Sequence, residues 1–399
     1  MITAETLAQA QSRLAGIVVH TPMLPARWLS DLVGGPVYLK CENLQRTGSF
    51  KMRGAYNRIA QLNDEERARG VVAASAGNHA QGVALAAEML GVRSTIFMPE
   101  GATLPKIEAT IGYGAEVRFA GTTVDEALVA ATEHSRATGA ILIHPFDHVD
   151  VVAGQATVGL EIAEQQPDVR TVVVCTGGGG LLAGVCLGVA GVPDVRVVGV
   201  QAVQAASYPP SIAAGHPLQL EQMNTMADGI AVARPGELPF GIITRAGVDF
   251  LTVDDEQISR AVVQCLERSK LVVEPAGAAG VAALMAHPGA FEPPVVVTLS
   301  GGNVDPLLLL RIVQRGLVAA RRYMVISAFI PDRPGHLEAI LAEIADRKAN
   351  VVTVSHNRVD PRLRVDECAV VVEVEVRGPE HAAEVLSGLR AHGFTVSVE

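Results

Sequence analysis

Short runs of β-branched residues alternate with Ala/Leu-rich stretches through the first three quarters of the chain. GVVAAS (70–75) precedes AQGVALAAEML (80–90), STIFMP (94–99) precedes LPKIEATIGYG (104–114), and TVVVCT (171–176) precedes GLLAGVCLGVA (180–190). VRVVGVQ (195–201) and PVVVTLS (294–300) continue the series. A strand with one wet face alternates apolar and polar residues. These runs are apolar almost without interruption, as strands are when helices cover both faces of a parallel sheet. The expected fold through residue 305 is therefore α/β, with open and mostly parallel sheets. Much of the glycine lies just after the strands (Gly77, Gly177 to Gly180, Gly301, Gly302), where the carboxyl ends of parallel strands form binding crevices.

Residues 307–322 (LLLLRIVQRGLVAARR) read as a terminal helix of that domain, after which the pattern changes. From Tyr323 it runs strand YMVISAFI, loop PDRPG, helix HLEAILAEIADRK, strand NVVTVSHNRV, loop DPRLRVD, strand ECAVVVEVEV, helix PEHAAEVLSGLRAHG, strand FTVSV. Leu337, Ile340, Leu341 and Ile344 fall at i, i+3, i+4 and i+7, and Ala382, Val385, Leu386 and Leu389 repeat that spacing. Each helix thus carries one apolar stripe, suited to one face of a four-stranded sheet, and the order βαββαβ is the ferredoxin-like arrangement. Two domains are expected, residues 1–322 and 323–399.

Composition narrows the function classes. Of 399 residues, 49% are hydrophobic and 19% charged, which excludes disorder over most of the length. The net charge is −10 and no Lys/Arg cluster occurs, so neither a nucleic acid nor an anionic membrane is an expected partner. No apolar run has the length of a membrane span, and MITAETLAQAQ has neither the basic region nor the apolar core of a signal peptide, so a cytoplasmic location is expected. The five cysteines (Cys41, Cys175, Cys186, Cys265, Cys368) are scattered and form no CxxC, which predicts reduced, buried thiols.

The chain has only five lysines, Lys40, Lys51, Lys106, Lys270 and Lys348. Lys51 stands out in LQRTGSFKMRGA, where Phe50 and Met52 give an apolar setting and Arg53 adds a neighbouring cation. Desolvation and a like charge both favour the neutral amine, the form that makes a Schiff base; a solvated surface lysine is the bland alternative. In TVVVCTGGGGLLAG (171–184) a strand, four glycines and a helix follow one another, offering backbone N–H groups and a helix dipole to a phosphate. Gly178, Gly180 and Ala183 also fit a dinucleotide fingerprint, but the next strand ends in Gln201 rather than the ribose-binding acid, which favours a single phosphate group. SAGNHAQG (75–82) brings Ser75, Asn78 and His79 to the first turn of a helix, a place for a carboxylate or an ordinary cap. SGGNVD (300–305) again puts a serine and glycines at the end of a strand.

Taken in order, GSFKMRGA, SAGNHAQG, GGGGLLAG, MADGIAV, VEPAGAA and SGGNVD resemble the fold-type II pyridoxal-phosphate enzymes, in the branch that holds the threonine dehydratases (threonine ammonia-lyases) and serine racemases. The resemblance covers residues 5 to 320. The tail, opening IPDRPGHL, resembles a single ACT regulatory domain.

The resemblance implies pyridoxal 5′-phosphate as cofactor and two αβα subdomains, the smaller (about 45–145) inserted in the larger. It implies that Lys51 tethers the cofactor and takes the substrate Cα proton, with Phe50 beside the ring. Asn78 would meet the 3′-oxygen, the backbone of Gly177, Gly178, Gly179, Gly180 and Leu181 the phosphate, and Ser300 the pyridine nitrogen. Ser75, Ala76, Gly77, Asn78 and His79 would take the substrate carboxylate, and Gly229 and Glu274 would line the other edge of the ring. A neutral Ser300, unlike an aspartate, makes a shallow electron sink and favours β-elimination over transamination. The implied reaction turns L-threonine into 2-oxobutanoate and ammonia, with L-serine as a second substrate. The serine racemases carry a second serine where this chain has Ala76, and metal-binding acids in the segment that here reads from Gln201 to Pro210 without one; no divalent metal is expected. A serine racemase or serine dehydratase, and an amino-acid sensor with a vestigial pyridoxal domain, are the alternatives. For the tail, Asp332, Arg333 and Gly335 would offer helix-start N–H groups to an effector such as isoleucine or valine, in a homodimer or homotetramer.

Overall fold

In the computed structural model, which describes residues 2–319, 322–359 and 363–398, the valine-rich runs are strands of two sheets. Strands β1 (Met23–Pro25) and β2 (Val37–Lys40) open the chain. Strands β3 (Val71–Ala74), β4 (Ser94–Met98), β5 (Glu116–Phe119) and β6 (Ile141–Leu142) form a small parallel sheet in the order β5-β4-β3-β6. Strands β7 (Thr171–Cys175), β8 (Arg196–Ala202), β9 (Asp249–Val253) and β10 (Val295–Thr298) join the first two in a six-stranded sheet, β1-β2-β10-β7-β8-β9. All its pairs are parallel except β1 with β2. The small sheet, Val71 to Leu142, lies inside the 45–145 interval.

Burial follows the pattern that predicted it. Val172, Val173, Val174, Val295, Val296 and Val297 have no accessible surface, because helices cover both faces. Each fully buried valine side chain contributes about 1.5–3 kcal/mol relative to exposure. The edge strands depart from it: β5 has three of its four residues exposed, and β1, β6 and β9 are mostly half-buried. Helices begin where their caps dictate: Thr123 and Glu126 close a capping box at Val124–Thr138, and Asp254 with Gln257 another at Asp255–Gln264. The long helix Val149–Gln165, unmarked by any break in the apolar pattern, runs through the core with eleven buried residues, and two of its glycines admit close neighbours. All five cysteines are free and buried.

The chain divides into two compact units, residues 1–306 and 307–399. The helix Pro306–Ala319 therefore groups with the second unit, not with the first as its leucine run suggested. Four successive leucines point round the whole circumference of a helix; Leu307 and Leu310 are exposed, and Ile312 carries the burial. Residues 320 and 321 of the expected helix, and 360–362 of the expected loop, lie outside the described residues.

In the second unit, β11 (Tyr323–Pro331), β12 (Asn350–Asn357), β13 (Glu367–Glu375) and β14 (Val396–Val398) form an antiparallel sheet in the order β12-β13-β11-β14. That is the strand order of a ferredoxin-like βαββαβ unit. The stripes at Leu337, Ile340, Leu341 and Ile344 and at Ala382, Val385, Leu386 and Leu389 pack on one face of this sheet with Val370, Val372 and Val374.

Candidate active site

Four connections at the carboxyl ends of β2, β3, β7 and β10 converge in the first unit. The loop after β2 leads to Ser49, which bridges Gly301 just after β10, and the Phe50 N–H donates to the Ser300 carbonyl at 3.1 Å. This seats Lys51 at the first position of the helix Lys51–Ile59. Its Nζ donates to the Pro145 carbonyl at 3.0 Å and lies 5.2 Å from the centre of the Phe50 ring. Burial pushes the Lys51 amine down to about 8, against the opposing pull of Glu274. At pH 7 about a tenth of it is then neutral, against less than a thousandth for a solvated lysine.

The other cause expected for this shift, the Arg53 cation, does not act. Arg53 is fully buried on another side of the helix, its Nε and Nη2 donating to Glu42 at 2.8 Å each and its Nη1 to Glu161 at 2.6 Å. Lys40 Nζ donates to the other oxygen of Glu161 at 2.5 Å. Two cations and two carboxylates thus neutralise one another in the core. Burial works against the Arg53 charge, and Glu42 and Glu161 outweigh it and hold the guanidinium firmly protonated. The quartet clamps the Lys51 helix to Val149–Gln165.

After β7 the four glycines form a cradle. Among the described hydrogen bonds, none uses the backbone N–H of Gly177, Gly178, Gly179, Gly180 or Leu181, so five donors stand free at the start of the helix Gly180–Gly188. A side chain cannot replace hydrogen here. A Cβ on Gly178 would fall inside the Phe146 ring, and one on Gly179, whose φ is 95°, would overlap the Tyr208 hydroxyl. Tyr208 is fully buried, stacks on Phe250 at 4.9 Å and donates to the Gly178 carbonyl at 3.3 Å. Free donors, a helix dipole and a wall that excludes side chains fit the phosphate of a pyridoxal cofactor. Gln201, at the end of β8, is buried and holds the neighbouring loops, its Oε1 accepting from the Tyr208 N–H at 2.9 Å.

After β3, Ser75, Ala76 and Gly77 form a turn into the helix Asn78–Met89. Gly77 N–H donates to Ser75 Oγ at 3.1 Å, while no described bond uses the N–H groups of Ala76, Asn78 or His79. The His79 side chain does not serve as expected. Its Nε2 is bonded to the Ile143 carbonyl at 2.8 Å, and burial, reinforced by the Lys51 charge, lowers it to about 3. A neutral ring already committed to a carbonyl leaves only the backbone N–H of His79 open to an anion.

Asn78 Nδ2 donates to Glu274 Oε1 at 2.6 Å, and Asn303 Nδ2 donates to Asn78 Oδ1 at 2.7 Å. Burial, and next the Asp228 charge, raise the Glu274 carboxyl to about 7. Gly229 lies beside it, where an added Cβ would come 3.7 Å from Glu274 Oε1. Ser300, 3% exposed, puts its hydroxyl within bonding reach of the Cys175 thiol, which burial pushes up to about 11 and keeps protonated.

The sequence reading missed HPFD, residues 144–147. Pro145 accepts from Lys51, Phe146 walls the glycine loop, His144 Nδ1 accepts from the N–H groups of Phe146 and Asp147, and Asp147 caps the helix Glu237–Arg245 through both oxygens. Its only sequence mark is a Pro and an Asp between the last small-sheet strand and a long helix.

In the second unit, Asp332, Arg333 and Gly335 do meet at the start of the helix His336–Asp346. Two of the expected donors are used internally, Asp332 N–H by Asp366 and Arg333 N–H by Pro331. Both Asp332 oxygens accept from Arg358, at 2.7 and 3.1 Å. Asp332, His356 and Cys368 are the described group with metal-ligand character, but this ion pair already engages the aspartate. No helix of the described residues is long and apolar enough to cross a membrane.

Comparison with known proteins agrees with this geometry. Residues 14–301 match the family described as pyridoxal-phosphate dependent enzyme. The L-threonine ammonia-lyase of Thermotoga maritima is 44% identical over 399 residues, covering all of both chains. Among solved structures, the processed form of threonine deaminase isoform 2 from Solanum lycopersicum aligns with a TM-score of 0.74 and 35% identity, over 79% of this chain and 90% of that one. Maize serine racemase aligns with a TM-score of 0.73 and 34% identity, over 79% and 98%.

Proposed function

Because the chain belongs to the pyridoxal-phosphate dependent enzymes, we propose that it is an L-threonine ammonia-lyase, converting L-threonine to 2-oxobutanoate and ammonia and L-serine to pyruvate and ammonia. The observation that carries this is 44% identity over the full length of an enzyme of that name, together with a buried lysine amine bonded to the Pro145 carbonyl, next to the Phe146 wall of a cradle of free N–H donors. The cofactor, when bound, supplies an electron sink that acidifies the substrate Cα–H.

The residues do the rest. Gly177 to Leu181 would hold the phosphate by their N–H groups, Asn78 would give its second amide hydrogen to the 3′-oxygen, and Ser300 would face the pyridine nitrogen without protonating it. Phe50 would lie beside the ring, with Gly229 and Glu274 along its other edge. Ser75 and the N–H groups of Ala76, Asn78 and His79 would receive the substrate carboxylate. Lys51 Nζ, whose amine burial lowers to about 8, takes the Cα proton, and an equal proton leaves with the β-hydroxyl as water. Loss of the β-hydroxyl, readdition of water and departure of ammonia complete the balance. At Ala76 no hydroxyl is available to deliver a proton from the opposite face, which favours elimination over racemisation.

The second unit supports an ACT-like regulatory role. Its helices cover one sheet face, and the edge strand β12 is exposed at Val352 and Val354, a surface suited to a second copy in a homodimer or homotetramer. The Gly335 turn and the exposed Asp332–Arg358 pair together offer N–H groups, a carboxylate and a guanidinium to the two charged ends of an amino acid such as isoleucine or valine.

Steady-state formation of 2-oxobutanoate from threonine and pyruvate from serine, with and without isoleucine and valine, tests both readings. Lys51→Ala should lose nearly all elimination. A chain ending at Arg322 should still deaminate threonine but lose the effector response. A folded but inactive truncated chain, or a full-length enzyme indifferent to aliphatic amino acids, would reduce the second unit to a structural role.

A further inference from the structure

One ion pair joins the two sides of the cleft at its mouth. Lys106 stands on the helix Leu104–Gly112, which packs on Asn78–Met89 beside the small sheet. Asp228 opens the turn Asp228–Ile230, which packs on Pro275–Ala286 against the large sheet. Lys106 Nζ donates to Asp228 Oδ2 at 2.6 Å. The two ends of this bridge rest on the two loops already assigned to the site. A Cβ on Gly77 would lie 3.8 Å from Lys106 Nζ, and Gly229, the residue after Asp228, lies beside Glu274.

We propose that Lys106 binds the substrate carboxylate and Asp228 positions it: Asp228 reaches from the large lobe to hold the Lys106 ammonium over Gly77, where it closes the carboxylate pocket formed by the N–H groups of Ala76, Asn78 and His79. The proposal rests on the reading that this turn receives the substrate carboxylate. Lys106 has three donor hydrogens and Asp228 takes one, which leaves two for the incoming anion. A lysine without its partner would be drawn into solvent by hydration and by the entropy of its four-carbon stem. The carboxylate of Asp228 keeps it over the turn in advance, so the ordering cost is met before substrate arrives. The same bridge spans the cleft, so the pocket is complete only when both lobes are in place.

The pair is poorly suited to a purely structural role. The Asp228 side chain is 61% exposed and that of Lys106 17%, so its own contribution to stability is small. Its position, opposite the substrate anion and not the reacting carbon, predicts an effect on substrate affinity over the chemical step.

The test is a double-mutant cycle on the holoenzyme with Lys106→Met, Asp228→Asn and the combined variant, measuring kcat and KM for threonine, with thermal unfolding as a control. Each single variant should raise KM about tenfold while kcat changes less than about twofold, as expected for an interaction made equally in ground and transition states. The combined variant should lose no more than the worse single one, because the residues act through one contact. The exchanged pair, Lys106→Asp with Asp228→Lys, should leave the unfolding temperature unchanged and fail to restore KM, since it puts a carboxylate over the carboxylate pocket. Multiplicative losses in the combined variant, a fall confined to kcat, or a KM change below threefold in Lys106→Met overturns the proposal. If the unaltered enzyme does not deaminate threonine, the functional reading fails instead, and the two failures are separate.

Discussion

Replacing Lys51 by methionine should make the cofactor-free protein more stable while abolishing its reaction. The penalty for burying the Lys51 ammonium follows from its displacement from 10.5 to about 8. At about 1.4 kcal/mol per tenfold change, this is about 3 kcal/mol, a ceiling because the side chain borders the cleft and keeps some water. Methionine loses the bond to the Pro145 carbonyl, worth about 1 kcal/mol, so the expected net gain at pH 7 is about 2 kcal/mol. The sign with pH is fixed by linkage. Below about pH 8 both folded and unfolded chains carry the proton and the penalty is complete. Between 8 and 10.5 the unfolded chain holds a proton that the folded chain has released, so unaltered protein gains stability as pH rises. At pH 9.5 about 1.4 kcal/mol of penalty remains, which the lost hydrogen bond nearly cancels. Urea unfolding of both cofactor-free proteins, followed by the fluorescence of Trp28, the only tryptophan, reads the first unit alone. A methionine variant no more stable at pH 7, or an advantage of the same size at pH 9.5, would refute the claim that desolvation tunes this amine.

Two further outcomes follow from the packing around the site. Arg53→Met leaves Glu42 and Glu161 with Lys40 as their one remaining cation in the core and should cost about 3–5 kcal/mol in the same urea assay, whereas a change below 1 kcal/mol would mean that water already reaches the quartet. Gly179→Ala forces a side chain into a left-handed position and into the Tyr208 hydroxyl; strain of about 1–3 kcal/mol should weaken pyridoxal-phosphate binding by about tenfold to a hundredfold in an absorbance titration.

The sequence by itself determined whatever depends on neighbours along the chain. Uninterrupted valine runs specified strands covered on both faces, the i, i+3, i+4, i+7 apolar spacing specified the helix stripes of the second unit, and four successive glycines specified a loop of free backbone N–H donors, because each signal is a local periodicity or a backbone permission. Helix geometry also held the correction to Arg53, since residues two apart on a helix point to nearly opposite sides. Lys51 toward the cleft therefore required Arg53 toward the core. Tertiary structure alone decided which distant segments meet. The Lys51 bond to Pro145 spans 94 positions, and Phe146 comes to lie over Gly178 and Gly180 because β6 and β7 belong to different sheets. No local pattern marks these contacts. The His79 ring was claimed by the Ile143 carbonyl for the same reason: a buried imidazole takes the nearest unpaired backbone acceptor, and which one that is depends on how β3 and β6 pair. The leucines of the helix Pro306–Ala319 gave apolarity without a direction, and only packing assigned the helix to the second unit.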